Sequence, residues 1–120
     1  MDRNAIMEKL IEVDPVVHYG TAEKHDRSAP WDYMVLACKN FNRTASRTGY
    51  SDYFEVAIVR EEFIPEGLPE RVIAAMESLP KVRLAEGSHD YEYAAKPDSN
   101  DTVEMLVLKF VAPRKRGPDD

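Results

Sequence analysis

The sequence predicts an α+β domain: a mostly antiparallel sheet with an N-terminal helix and a second helix packed on one face. Two observations carry the prediction. Apolar, aromatic and β-branched residues alternate or run together over residues 31–38, 52–60 and 102–111, as strands require. Two other stretches, residues 2–13 and 68–79, place apolar residues three and four apart, the spacing of a helix with one buried face.

In chain order, Asp2 is a plausible N-cap for a helix whose stripe is Ile6, Met7, Leu10, Ile11 and Val13, and Asp14-Pro15 ends it. Residues 16–19 form a short extended piece, and residues 20–30 a polar connection. The strand at 31–38 turns Trp31, Tyr33, Val35 and Ala37 one way and Met34, Leu36 and Cys38 the other. Its neighbour at 52–60 opposes Phe54, Val56 and Ile58 to Tyr53, Ala57 and Val59, so both of its faces can be covered and it belongs in the middle of a sheet. Between the two lies a long connection, residues 39–50. Pro69 sits where a first-turn proline belongs and Glu70 near the positive end of the helix dipole; Val72, Ile73, Met76 and Leu79 form the stripe, and Pro80 stops the helix. Residues 82–84 and 91–94 are extended. Residues 96–101 supply turn chemistry, and the strand at 102–111 is apolar on both faces at its centre. Val56, Ile58, Val72, Ile73, Met76, Leu106 and Leu108 are expected to share one core. Residues 1–112 therefore form one domain, and residues 113–120 a charged, flexible tail.

Hydrophobic content of 43% and charged content of 32% are those of an ordinary folded domain, and no apolar run approaches the roughly 20 residues of a membrane span. The N-terminus lacks the basic start and apolar core of a secretory signal, so a cytoplasmic site of synthesis and no membrane association are expected. The single cysteine, Cys38, is read as a buried structural thiol. A net charge of −6 argues against a surface devoted to nucleic acid. The distribution says more than the sum: Lys39, Arg43 and Arg47 occupy residues 39–50 without an acid, whereas Glu61, Glu62 and Glu66 open a long acidic stretch. Charge runs of this kind are usually solvated faces; the sharper reading is head-to-tail self-association of the basic loop with the acidic face of a second copy.

Nothing in the sequence assembles a catalytic set. His18, His25 and His89 lack the spacing of a metal site, no glycine-rich phosphate loop is present, and neither a cofactor nor an enzymatic activity is expected. His89 beside Asp90 reads as a surface pair rather than a general base. Trp31, Tyr33, Tyr91 and Tyr93 read as aromatics covering a sheet face, with an exposed binding surface as the alternative.

The element order resembles that of the tail terminator (tail completion) proteins of long-tailed bacteriophages. The carrying features are the short N-terminal helix, the pair Trp31-Asp-Tyr-Met-Val-Leu36 and Tyr53-Phe-Glu-Val-Ala-Ile-Val59, the segment Ile64-Pro-Glu-Gly-Leu-Pro-Glu-Arg-Val-Ile73 leading into the second helix, and the closing hairpin from Asp90-Tyr-Glu-Tyr93 to Thr102-Val-Glu-Met-Leu-Val-Leu-Lys-Phe110. The resemblance implies a virion protein, assembled in the host cytoplasm, that forms a hexameric ring on the tail tube protein and faces the head-side connector proteins. Head completion and connector proteins of the same neck are the alternative within that setting, and a small cytosolic enzyme or binding domain the alternative outside it. From the residues themselves, the candidate oligomer interface is Lys39, Phe41, Arg43, Arg47 and Tyr50 against Glu61, Glu62 and Glu66. Arg114, Lys115 and Arg116 are candidates for contact with a partner or with DNA in the channel.

Overall fold

The structure, a computed structural model, describes residues 2–23, 25–26, 28–43, 49–97 and 99–113. Helix α1 (Arg3–Val13) starts at the cap expected of Asp2, whose Oδ1 accepts the Ala5 N–H at 3.2 Å. It buries Ile6 and Leu10, while Met7 and Val13 pack at the margin and Ile11 is exposed, so its stripe is narrower than the sequence suggests. Asp14 closes the helix and is the one buried charged residue among those described. Its carboxylate accepts the Val16 N–H and the Arg60 guanidinium, which also donates to the Val59 carbonyl at 2.9 Å. A buried acid with a guanidinium and a backbone N–H is satisfied, and the end of the helix is held to the sheet.

The sheet has six strands: β1 (Val17–Tyr19), β2 (Tyr33–Arg43), β3 (Tyr50–Glu61), β4 (Arg83–Leu84), β5 (Tyr91–Ala95) and β6 (Thr102–Pro113). Their order is β1-β2-β3-β6, and β4 and β5 both pair with β6, β4 near its end and β5 near its start. Every pairing is antiparallel except β1 with β2, which the sequence did not signal. Helix α2 (Leu68–Glu77) begins after Gly67, whose φ of +87° is the left-handed turn that leads the chain from β3 into the helix.

Cross-strand partners share a face, so the register fixes the core. Leu36 opposes Val56, which opposes Leu108; Met34 opposes Ile58, which opposes Leu106; and Phe54 stacks on Phe110 with ring centroids 5.4 Å apart. Ile6 and Leu10 of α1 and Leu68, Val72 and Met76 of α2 close over this face. On the opposite face Tyr33, Val59 and Val103 are buried at one end, with Ala22 and Trp31 packed against them, and Val111 is buried toward the other.

Three expectations are corrected. Half of the connection read at 39–50 is strand: β2 continues to Arg43 and β3 begins at Tyr50, joined in register as Phe41 opposite Asp52 and Arg43 opposite Tyr50. A bulge between Cys38 and Asn40 realigns the pair, which hid the alternation in the sequence. Cys38 is exposed, because α1 starts at Arg3 and covers the strand no further; its Sγ meets Arg3 Nε at 3.4 Å and the Tyr19 hydroxyl at 3.6 Å. Tyr91 and Tyr93 lie on the helix side of the sheet, yet both are exposed because β5 runs beside the helices rather than beneath them.

Truncating Leu106 to Ala leaves a cavity in the closed face and is expected to cost about 2–5 kcal/mol in chemical denaturation. Ile73, which packs on the core from its margin, is expected to cost less, about 1 kcal/mol, on truncation. Equal small losses at the two sites would place the buried face elsewhere.

Candidate functional site

β3 ends in two different surfaces. At its start the β2–β3 pair carries an aromatic and basic cluster on the helix side: Phe41 meets Tyr50 edge to face at 5.7 Å, and the Arg43 guanidinium lies 5.7 Å from the Tyr50 ring centre and donates to its hydroxyl at 3.4 Å. Phe41 and Tyr50 are both exposed. Lys39 does not join them; its ammonium lies 3.5 Å from Glu55, whose partners Ala37 and Lys109 sit on the other face of the sheet. Arg47 lies outside the described residues, as do Arg114, Lys115 and Arg116 of the tail.

At the far end of β3 the chain turns through Glu62, Phe63 and Glu66, all exposed. Phe63 is 65% exposed and Tyr93, on neighbouring β5, 63%. Glu104 ties this region together: it accepts the Ile64 N–H at 2.9 Å and the Tyr93 hydroxyl, which raises the pKa of that phenol. Glu61 belongs to the fold rather than to this surface. Its carboxylate holds Lys96 and the Trp31 N–H, contacts that lower its pKa, with Lys96 as the larger cause. The acidic end therefore consists of Glu62 and Glu66, with Phe63 and Tyr93 as its exposed aromatics.

A third cluster lies on the less covered face. His25 Nε2 is 2.9 Å from the Pro30 carbonyl, which can only accept, so that nitrogen carries the hydrogen and Nδ1 is left to accept from His18 Nε2–H at 2.9 Å. Tyr33 packs against both rings, at 4.4 Å from His25 and 5.3 Å from His18. The pair fastens the connection between β1 and β2 over Tyr33 beside an open depression of about 530 Å³ that Trp31 and Glu23 also line. His89 has a comparable structural task. Its Nδ1 accepts the Lys109 N–H and its Nε2 donates to the Ala85 carbonyl, so both nitrogens are engaged by backbone.

Trp31 and Tyr33 thus belong to one face and Tyr91 and Tyr93 to the other, and the four do not form a single aromatic surface. Among the described residues no three His, Cys, Asp or Glu side chains are gathered as metal ligands, and no helix is long and apolar enough to cross a membrane. Phe63 was the functional candidate that sequence reasoning passed over, and its signal was an aromatic between acids just after a strand. Compared with protein-family models and with curated proteins, the chain matches none.

The His18 pKa is lowered, first by burial and second by the charge of His25. A depressed folded value means that the unfolded chain takes up this proton first as pH falls below about 6.5. The contribution of His18 to stability is therefore complete above that pH and declines as pH falls toward the folded value. Residue-resolved NMR titration is expected to show His18 titrating below the ordinary range, and His18→Gln to flatten the loss of stability as pH falls below about 6.5. An ordinary titration of His18 would contradict the packing of the pair.

Proposed function

We propose that this chain is a structural subunit that assembles head to tail into a ring, of the kind that terminates a phage tail tube and joins it to the head-side connector. The observation that carries the reading is the unlike character of the two ends of β3. Arg43, Phe41 and Tyr50 stand at one end, and Glu62, Glu66, Phe63 and Tyr93 at the other. The 12 residues of β3 separate them by about 36 Å. A surface that pairs with itself builds a two-fold dimer, whereas two complementary surfaces far apart on one subunit build a ring when the rotation closes. The resemblance in element order to tail terminator proteins supplies the setting: a hexamer, seated on the tail tube protein, with the connector on its other side and DNA passing through the channel. Exposed aromatics would give such an interface its affinity, and the charges its register and its salt dependence.

Native mass spectrometry and negative-stain imaging of the purified chain are expected to show a six-membered ring that dissociates as salt rises from about 0.1 M to 1 M. Arg43→Glu combined with Arg47→Glu is expected to abolish the ring and leave the melting temperature within a few degrees of the parent. A double variant that assembles like the parent at low and high salt would overturn the reading.

A further inference from the structure

Among the described residues both lateral edges of the sheet have an unpaired stretch, regular on β5 and bulged between Cys38 and Asn40 on β2. On one side β5 is bonded to β6 alone. The Val107 N–H donates to the Asp90 carbonyl and the Lys96 N–H to the Asp101 carbonyl, so residues 90, 92, 94 and 96 direct their backbone groups at β6 and its turn. Tyr91, Tyr93 and Ala95 then point theirs away from the sheet. All five residues of β5 are exposed, and the strand has neither a proline nor a bulge within it; its one charge is Glu92. On the other side β1 covers β2 from Met34 to Leu36 and leaves the sheet at Gly20, whose N–H reaches the Leu36 carbonyl. Beyond it, from Ala37 to Asn40, β2 has no strand on its outer side among the described residues.

From these two edges we propose that β5 of one copy pairs with the 37–40 stretch of β2 in the next, giving a sheet continuous from subunit to subunit. This rests on the ring reading and adds a lateral backbone contact to the strand-end surfaces named above. Three features favour a second copy as the occupant. β2 runs antiparallel to β3, β3 to β6, and β6 to β5, so a neighbour placed side by side in the same orientation meets β5 with an antiparallel β2. The side chains also agree by face. Glu92 opposes Met105 on the face away from the helices, the face on which Lys39 reaches Glu55. Tyr91, Tyr93 and Ala95 share the helix side with Cys38, which opposes Phe54. Finally, the charges on that face are opposite, with Glu92 on β5 and Lys39 on β2. The two edges are offset along the strands by the step from Glu104 to Phe110 on β6, roughly 20 Å. Strands inclined to the ring axis accommodate such a stagger, as they do in a closed barrel.

The native thiol of Cys38 makes the pairing testable without a second engineered cysteine. Tyr91→Cys, Tyr93→Cys and Ala95→Cys place a thiol on the same face as Cys38, and Ala94→Cys places one on the opposite face as a control. Each is oxidised under mild conditions and run on a non-reducing gel, with the melting temperature checked first. The expected result is a ladder of covalent oligomers from the helix-side variants in register, none from Ala94→Cys, and loss of the ladder when Cys38→Ser is added. A ring in native mass with no ladder from any helix-side variant would overturn the edge pairing and leave the ring reading standing. A chain that stays monomeric at its highest soluble concentration and with tail tubes added would overturn both.

Discussion

The register of β3 between β2 and β6 is the constraint on which the rest of this molecule depends. A strand bonded on both sides has a side-chain period of two, and a slip by one residue would send Phe54, Val56 and Ile58 to the wrong face. Each of these side chains, fully removed from water, contributes about 1.5–3 kcal/mol. The same parity in β2 and β6 places Met34, Leu36, Leu106, Leu108 and Phe110 beside them. Two helices too short to persist alone in water are stable because this face needs a cover. The buried pair of Asp14 and Arg60 then sets where α1 stops against β3.

That same rigidity has a consequence at the strand ends. Because β3 is held throughout its length, whatever its ends carry is displayed at a fixed separation and on a fixed side of the sheet. Tyr50, the ring that Arg43 meets, lies in β3 itself, and Glu62 and Phe63 follow its last residue directly. In the proposed ring, ends held in this way would carry the subunit's own geometry into the assembly. The less covered face has a separate fastening, in which the hydrogen-bonded pair of His18 and His25 holds the connection between β1 and β2 over Tyr33.

Much of this was legible in the sequence, for physical reasons that differ by element. α2 was read to within two residues because Pro69, the apolar spacing and Pro80 act locally. β3 and β6 were read as central because residues apolar on both faces have few other places to go. The parallel pairing of β1 with β2 was not legible, since a three-residue strand carries no signal of its partner. The length of the β2–β3 pair was hidden by a bulge that interrupts the alternation. Cys38 and Tyr91 were misjudged for one reason: their residue types favour burial, and only the placement of the helices decides what is covered. In the candidate site, Phe41, Arg43 and Tyr50 were singled out from charge and aromaticity and lie together, while the inward use of Glu61 depended on Lys96, 35 residues away.

Residue-resolved amide hydrogen exchange, on the dilute chain and on the assembled one, tests the central claim most directly. The expected result is that β3 and β6 amides opposite the helices exchange slowest in both states. Along β5, Glu92 and Ala94 should be protected throughout, whereas Tyr91, Tyr93 and Ala95 exchange freely in the dilute chain and become protected on assembly. Fast exchange at Val56 and Ile58, or a β5 whose outward amides stay equally open after assembly, would contradict an account built on one doubly paired strand and two open edges.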